Sequence, residues 1–270
     1  MALTPFQRDV CRSIAETRRR LGESYVAGGA ALNEWLAAPR ISRDVDLFHD
    51  TDEALAASWQ TDRQSLQGAG FVVTIVRERP AYVEAEVRRG DEVVVIQWAR
   101  DSAYRFFPLV EHPDLGLALH PFDLATNKVL ALVGRLEPRD FVDVLTCDRR
   151  LQPLGYLAWA ASGKDPGFSP GAILEQAARG SRYSQAELAG LDFESGPPDA
   201  AALSREWHEV LDTARGVVAL LPAQEVGRAV LDRAGQPFRG TPAELRDALD
   251  NGVLAFHPGR IGGVLPVMLR

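Results

Sequence analysis

Two carboxylates one residue apart, Asp44 and Asp46, lie in the run RDVDLFHD, where Val45, Leu47 and Phe48 supply the apolar weight of a strand. Side chains alternate along a strand, so both carboxylates share one face and stand close together. Like charges that near repel, which makes poor architecture but a natural seat for a divalent cation. Hard Mg2+ takes carboxylate oxygens, few protein ligands, and its remaining oxygens from substrate phosphates. Upstream, SYVAGG reads as a short strand ending in Gly28-Gly29, with the helix-like AALNEWLAA directly behind it. Glycines at such a turn let backbone N–H groups approach a phosphate at a helix N-terminus. Each feature alone has an ordinary reading, as a turn or as a surface accident. Their order and spacing together carry the weight.

The surrounding elements must hold these residues in place. Residues 5–21 open behind Thr4-Pro5, a cap followed by proline at the first helical position. Phe6, Val10, Ile14 and Leu21 fall near one face, and the far side is expected to carry Arg8, Arg12, Arg18, Arg19 and Arg20. That arginine face is either solvated or a local RNA- or phosphate-facing patch. Residues 51–68 read as a helix crossing back, followed by three β-rich runs, FVVTIVRE, AYVEAEVRR and DEVVVIQWAR, with Arg-Gly-Asp as a hairpin turn. The first half is therefore an α/β unit with a mixed sheet of about four or five strands. After His120-Pro121 the chain changes to helix-length apolar periodicities parted by Pro or Gly. ESGPPDA reads as a linker to a long helix and two shorter ones, and the tail as a short hairpin or extended arm. The expected organisation is a core over 1–118 and a helical part over 119–270.

Composition narrows the class. The chain has 270 residues, 46% hydrophobic and 25% charged, an ordinary globular balance. Net charge is −7 and the sequence pI about 5.3, so any nucleic-acid contact must be local rather than bulk. Two distant cysteines, Cys11 and Cys147, exclude a disulfide framework, and five scattered histidines without HxxH spacing argue against a zinc enzyme. No stretch approaches the roughly 20 apolar residues of a membrane span, and no signal peptide is visible at the start, so a cytoplasmic location is expected.

GGAALNEWLAAPRISRDVDLF resembles the GG-x-AL … R-x-S-x-D-[IV]-D-L-F pattern of the AbiEii/AbiGii abortive-infection toxin family, within the polymerase-β-like nucleotidyltransferases. Downstream, Lys128 in DLATNKVLAL and EPRDFVDVL, with Arg139, Asp140 and Asp143, look like that family's lysine helix and its R-D-x-x-D motif. The resemblance spans about residues 28 to 150 in order. It implies an α/β (α+β) polymerase-β-like nucleotidyltransferase core with a mixed sheet and a helical C-terminal part. It implies Mg2+- or Mn2+-dependent transfer of an NMP from an NTP to an acceptor, an RNA such as the tRNA 3′ end, by a toxin-like protein with a cognate antitoxin as partner. Gly28 and Gly29 would cradle the triphosphate, with Arg40, Ser42 and Arg139 in the nucleotide site, and Asp44 and Asp46 would bind the metal. Lys128 would sit against the phosphates, in one cleft with the acid pair. Asp140 and Asp143, three apart on a helix, would hold Lys128 and Arg139 or orient the acceptor. Replacing Lys128 would then remove phosphate stabilisation rather than packing.

The sequence also departs from the family pattern. Ala30 stands where many relatives have Ser or Thr, and Gln97 stands where a third carboxylate usually completes the site. Asp101 lies further along on the expected same side, with Glu84 and Glu86 on the preceding run as alternatives. The substitution leaves open a one-metal site, a base supplied by Asp101, or reduced activity. Nucleotidylyl transfer to a protein or small-molecule hydroxyl, or a catalytically weak binding module, are the other functions the sequence admits. Trp98, Tyr104, Phe106 and Phe107 read as core.

Overall fold

The computed structural model describes residues 3–179 and 182–267, and the chain forms two compact units. The first comprises residues up to Ala103 together with Leu109–His120. Its leading helix, α1 (Pro5–Leu21), starts at a capping box: the Thr4 hydroxyl accepts from Gln7 N, and Gln7 Oε1 accepts from Thr4 N. It stops at Gly22, whose left-handed backbone (φ 73°) returns an N–H to the Arg18 carbonyl. There follow β1 (Ser24–Ala27), α2 (Gly28–Trp35), β2 (Asp44–His49) and α3 (Asp52–Gly68). Then come β3 (Val72–Arg79), β4 (Tyr82–Arg89) and β5 (Glu92–Arg100). Two short strands, β7 (Val110–His112) and β8 (Gly116–Ala118), complete the unit; β6 (Tyr104–Arg105) belongs to the second.

The sheet has seven strands in the order β3-β4-β5-β2-β1-β8-β7, more than the four or five expected. The extra strands are three residues long, too short to show an alternating pattern. The sheet is mixed, since β2 runs parallel to β5 and β1 to β8 while the other neighbours are antiparallel. Alternation divides its faces cleanly. Val45, Leu47, His49, Ala85, Val87, Ile96 and Trp98 are buried on one side. Asp44, Asp46, Phe48, Val95, Gln97, Glu84 and Glu86 lie half-buried on the other.

On the buried side α1 and α3 pack against the sheet. Each large apolar side chain covered there contributes about 1.5–3 kcal/mol. Arg18 corrects the sequence reading of α1: it points inward, fully buried, and pairs with Asp62 of α3. Asp62 also accepts from Trp98 Nε1 at 2.8 Å. Arg8, Arg12 and Arg19 of that helix are likewise engaged within the unit. Arg8 pairs with Glu34 and Asp114, Arg12 with Asp114, and Arg19 reaches the carbonyl of Pro113.

The second unit takes in Tyr104–Pro108 and the chain from Pro121 onward. It contains α4 (Pro121–Arg135), α5 (Pro138–Arg150), α6 (Leu154–Ala161), α7 (Pro170–Arg179) and α8 (Gln185–Ala189). The long α9 (Ala200–Leu220) leads through a short 3-10 turn to β9 (Arg228–Leu231) and α10 (Pro242–Asp250). Every residue of α6 is buried, and α6 packs against α4, α7, α9 and β9. A Cβ at Gly155 would meet Val217 Cβ at 2.7 Å, so glycine sets how closely α6 approaches α9. Among the described residues, the tail strands pair with earlier strands rather than with each other. Strand β10 (Ala255–Pro258) pairs with β9, and β11 (Arg260–Ile261) pairs with β6. Residues 268–270 of the expected arm lie outside the described residues.

Candidate active site

The glycine pair does not end a strand; it opens α2. Gly28 adopts φ 65°, a left-handed conformation that suits only glycine without strain. A Cβ there would overlap Asp46 Oδ2, so the Asp46 carboxylate lies against the start of the helix because residue 28 has no side chain. Ala27, the N-cap residue, offers no side-chain acceptor to the first turn. At Gly29 a Cβ would meet Arg40 Nη2 at 2.6 Å and Ser42 Oγ at 3.0 Å. The bare backbone at 28–29 is thus what lets Arg40, Ser42 and Asp46 converge.

Ser42 and Asp44 are linked directly, the Ser42 hydroxyl donating to Asp44 Oδ1 at 3.0 Å. The loop before β2 is itself anchored, since Gln7 Nε2 donates to the Ser42 carbonyl at 2.6 Å. Gln7 therefore joins the cap of α1 to the approach to the acid pair. The sequence reading missed this, although Thr4-x-x-Gln7 is a legible capping box.

On the same face, β2 and β5 align Asp46 with Gln97, and β5 and β4 align Gln97 with Glu84. Gln97 Nε2 donates to Glu84 Oε2 at 3.3 Å, and Tyr82 OH donates to the same oxygen at 2.5 Å. Burial and the Glu84 carboxylate push the Tyr82 phenol up to about 12, so it stays a donor across the neutral range. Asp101 lies beyond the end of β5, with its N–H held by the His49 carbonyl. Glu86 sits opposite Val95 and accepts from Arg88 at 2.8 Å.

Asp44 and Asp46 offer only oxygen donors, the type a hard divalent cation takes. Among the described residues no group of three or more His, Cys, Asp or Glu side chains is placed to hold a metal ion. A cation here would rest on two carboxylates and on neutral or external oxygens.

In the second unit the structure joins α4 to α5 through charge. Lys128 Nζ lies 3.0 Å from Asp140 Oδ1 and 2.9 Å from Asp143 Oδ2, with both carboxylates buried. Arg135 adds a two-pronged contact to Asp140, at 2.6 and 3.0 Å. Burial raises the Asp140 carboxyl, but Arg135 and Lys128 outweigh it and hold it below the usual range. Leu136 (φ 54°) closes α4 in the left-handed region, where glycine is usual, and so makes the short turn into α5. Arg139 lies half-buried beside Asp140 on α5. With the ammonium bracketed by two buried carboxylates, Lys128 is a structural member of this unit as well as a candidate phosphate contact. Losing Lys128 would take a charged partner from two buried carboxylates.

Among the described residues, no histidine belongs to a group of three or more His, Cys, Asp or Glu placed to hold a metal ion. His49 donates from Nδ1 to the Ala99 carbonyl at 3.2 Å and accepts from the Ser24 hydroxyl at Nε2, 3.0 Å away. His257 Nε2 lies 2.9 Å from the Phe106 carbonyl. Trp98, Phe106 and Phe107 are buried, as read.

The chain is similar in structure to JHP933 from Helicobacter pylori, with a TM-score of 0.48 and 12% identity over 78% of this chain and 91% of that one. A second H. pylori chain gives a TM-score of 0.46 at 13% identity over 78% and 94%. MenT4, a nucleotidyltransferase toxin of Mycobacterium tuberculosis H37Rv, gives 0.43 at 12% identity over 80% and 86%. No family model and no curated protein matches the sequence. Among the described residues, no helix is long and apolar enough to cross a membrane.

Proposed function

We propose that the chain is a nucleotidyltransferase that moves a nucleoside monophosphate from an NTP to an acceptor hydroxyl and releases pyrophosphate. One observation carries the reading: the Asp44/Asp46 pair shares a half-buried sheet face, with Asp46 against the glycine turn that opens α2. Two like charges this close repel, whereas a triphosphate with its cation needs carboxylates beside a bare helix start.

Asp44 and Asp46 would hold Mg2+ or Mn2+, which when bound neutralises charge on the phosphates. The backbone N–H groups at Gly28 and Gly29 would donate to the phosphate chain, and Arg40 would add positive charge beside them. Ser42 orients Asp44 through its hydroxyl. In the reaction the acceptor oxygen bonds the α-phosphorus, the bridge to the β-phosphate breaks, and pyrophosphate leaves with its electron pair. The acceptor proton passes to solvent. Lys128, Arg139, Asp140 and Asp143 enter this reading through the family resemblance, as does RNA, the tRNA 3′ end in particular, as acceptor. So do the toxin role and the antitoxin partner.

The test is incubation with each α-labelled NTP, Mg2+ and total RNA, followed by separation of RNA from protein. Label on RNA that disappears in Asp44→Asn and Asp46→Asn is the expected result. Label on the protein alone would redirect the acceptor. Transfer undiminished in both variants would overturn the site.

A further inference from the structure

Resting on that reading, we propose that Gln97, held by Glu84, supplies the third ligand oxygen beside Asp44 and Asp46. The carboxylate missing from β5 would thus act from β4, one strand further away, through an amide.

The sheet register sets out the row. Asp46, Gln97 and Glu84 are successive cross-strand neighbours on β2, β5 and β4, all on the half-buried face. Glutamate is an acceptor, and Glu84 Oε2 already takes the Tyr82 hydroxyl, so the Gln97 amide presents its NH2 edge to Glu84. An amide is planar, so its carbonyl oxygen lies on the other edge, away from β4. On that side of β5 runs β2, carrying Asp46. Oxygen lone pairs of neighbouring side chains are compatible when a cation or a proton donor lies between them. An anion bonded behind a neutral ligand fixes its orientation and makes its donor atom more basic, as carboxylates do for metal-bound histidine.

The rival carboxylates are elsewhere. Glu86 faces Val95 and is bonded by Arg88, and Asp101 falls past the end of β5. Two carboxylates and one neutral oxygen carry a ligand charge that a single divalent ion balances. The apo site should therefore take one cation, a second arriving only with the triphosphate.

Mn2+ binding followed by electron paramagnetic resonance, without nucleotide, tests the inference on the full chain. The wild type should bind one Mn2+. Glu84→Gln should weaken binding about tenfold, the usual scale for losing the partner of a metal ligand. Gln97→Met should do the same. The exchange Glu84→Gln/Gln97→Glu, which moves the carboxylate next to Asp46, should restore affinity or exceed it. Wild-type affinity in Glu84→Gln or in Gln97→Met would overturn the inference. So would a folded exchange variant that stays weak. Asp46→Asn separates the two levels: if it also binds Mn2+ normally, the proposed function fails, whereas its loss beside an unaffected Glu84→Gln defeats only the role of Glu84.

Discussion

The Asp46 carboxylate fills the space where residue 28 would carry a Cβ. Gly28→Ala must therefore displace the carboxylate and force a side chain into φ 65°. The backbone cost alone is about 1–2 kcal/mol. Denaturant unfolding should show at least that loss, and Mn2+ affinity should fall with it. Gly29→Ala should be milder, because its new methyl meets Arg40 Nη2, the far end of a flexible side chain. Equal effects at the two glycines would contradict the geometry.

Gln7 acts on the site from a distance. Gln7→Ala removes both a capping partner and the donor to the Ser42 carbonyl, each worth about 1 kcal/mol. If the anchored loop fixes Asp44, NTP transfer should drop more than the modest loss of stability explains. Gln7→Glu, which can still accept from Thr4 N but cannot donate, should retain the cap and lose the anchor. Transfer rates alongside urea midpoints separate the two effects.

Burial lowers His49 to about 4 from its ordinary 6.5. Below pH 6.5 the unfolded chain takes a proton that the folded chain refuses, so stability should fall as pH drops from 6.5 towards 4. The depression corresponds to a loss on the order of 3 kcal/mol from this group. His49→Gln should flatten that part of a stability-against-pH curve; an unchanged curve would show that His49 titrates normally.

Lys128→Met keeps the apolar stem and deletes the charge between Asp140 and Asp143. Breaking a buried pair in this way costs about 3–5 kcal/mol. Raising Asp140 and Asp143 together to Asn in the Lys128→Met background should recover much of the stability. Recovery of stability without recovery of transfer would show that the ammonium also serves the chemistry.

The elements around the acid pair were legible because each carries a strong local signal. Asp44-Val45-Asp46 alternates with apolar neighbours, Thr4-Pro5 announces α1, and Arg-Gly-Asp turns β4 into β5. The mixed α/β character follows from that order of helix and strand. Three-residue strands such as β7 have too little pattern to read. Arg18 was misplaced for a different reason. A helical arginine reads as surface unless its partner is known, and Asp62 lies 44 residues away on another helix. The same holds for Glu84, whose link to Gln97 exists only through strand register, and for Arg135, which shares Asp140 with Lys128.

The short segment Tyr104–Pro108 interrupts the first unit in sequence yet belongs to the second. Its backbone N–H groups at Phe106 and Phe107 are taken by Asp123, and its carbonyl at Phe106 by His257, 151 residues later. On a ribosome this stretch emerges early and cannot be completed until β11 arrives to pair with it. Closing so long a loop is entropically slow, though lengthening it further would add little. Translation thus leaves a strand waiting for its partner, and the last assembly step of the second unit falls to residues made near the end of synthesis. A cut after His120 would free every residue of the first unit but would carry Tyr104–Pro108 away from the second.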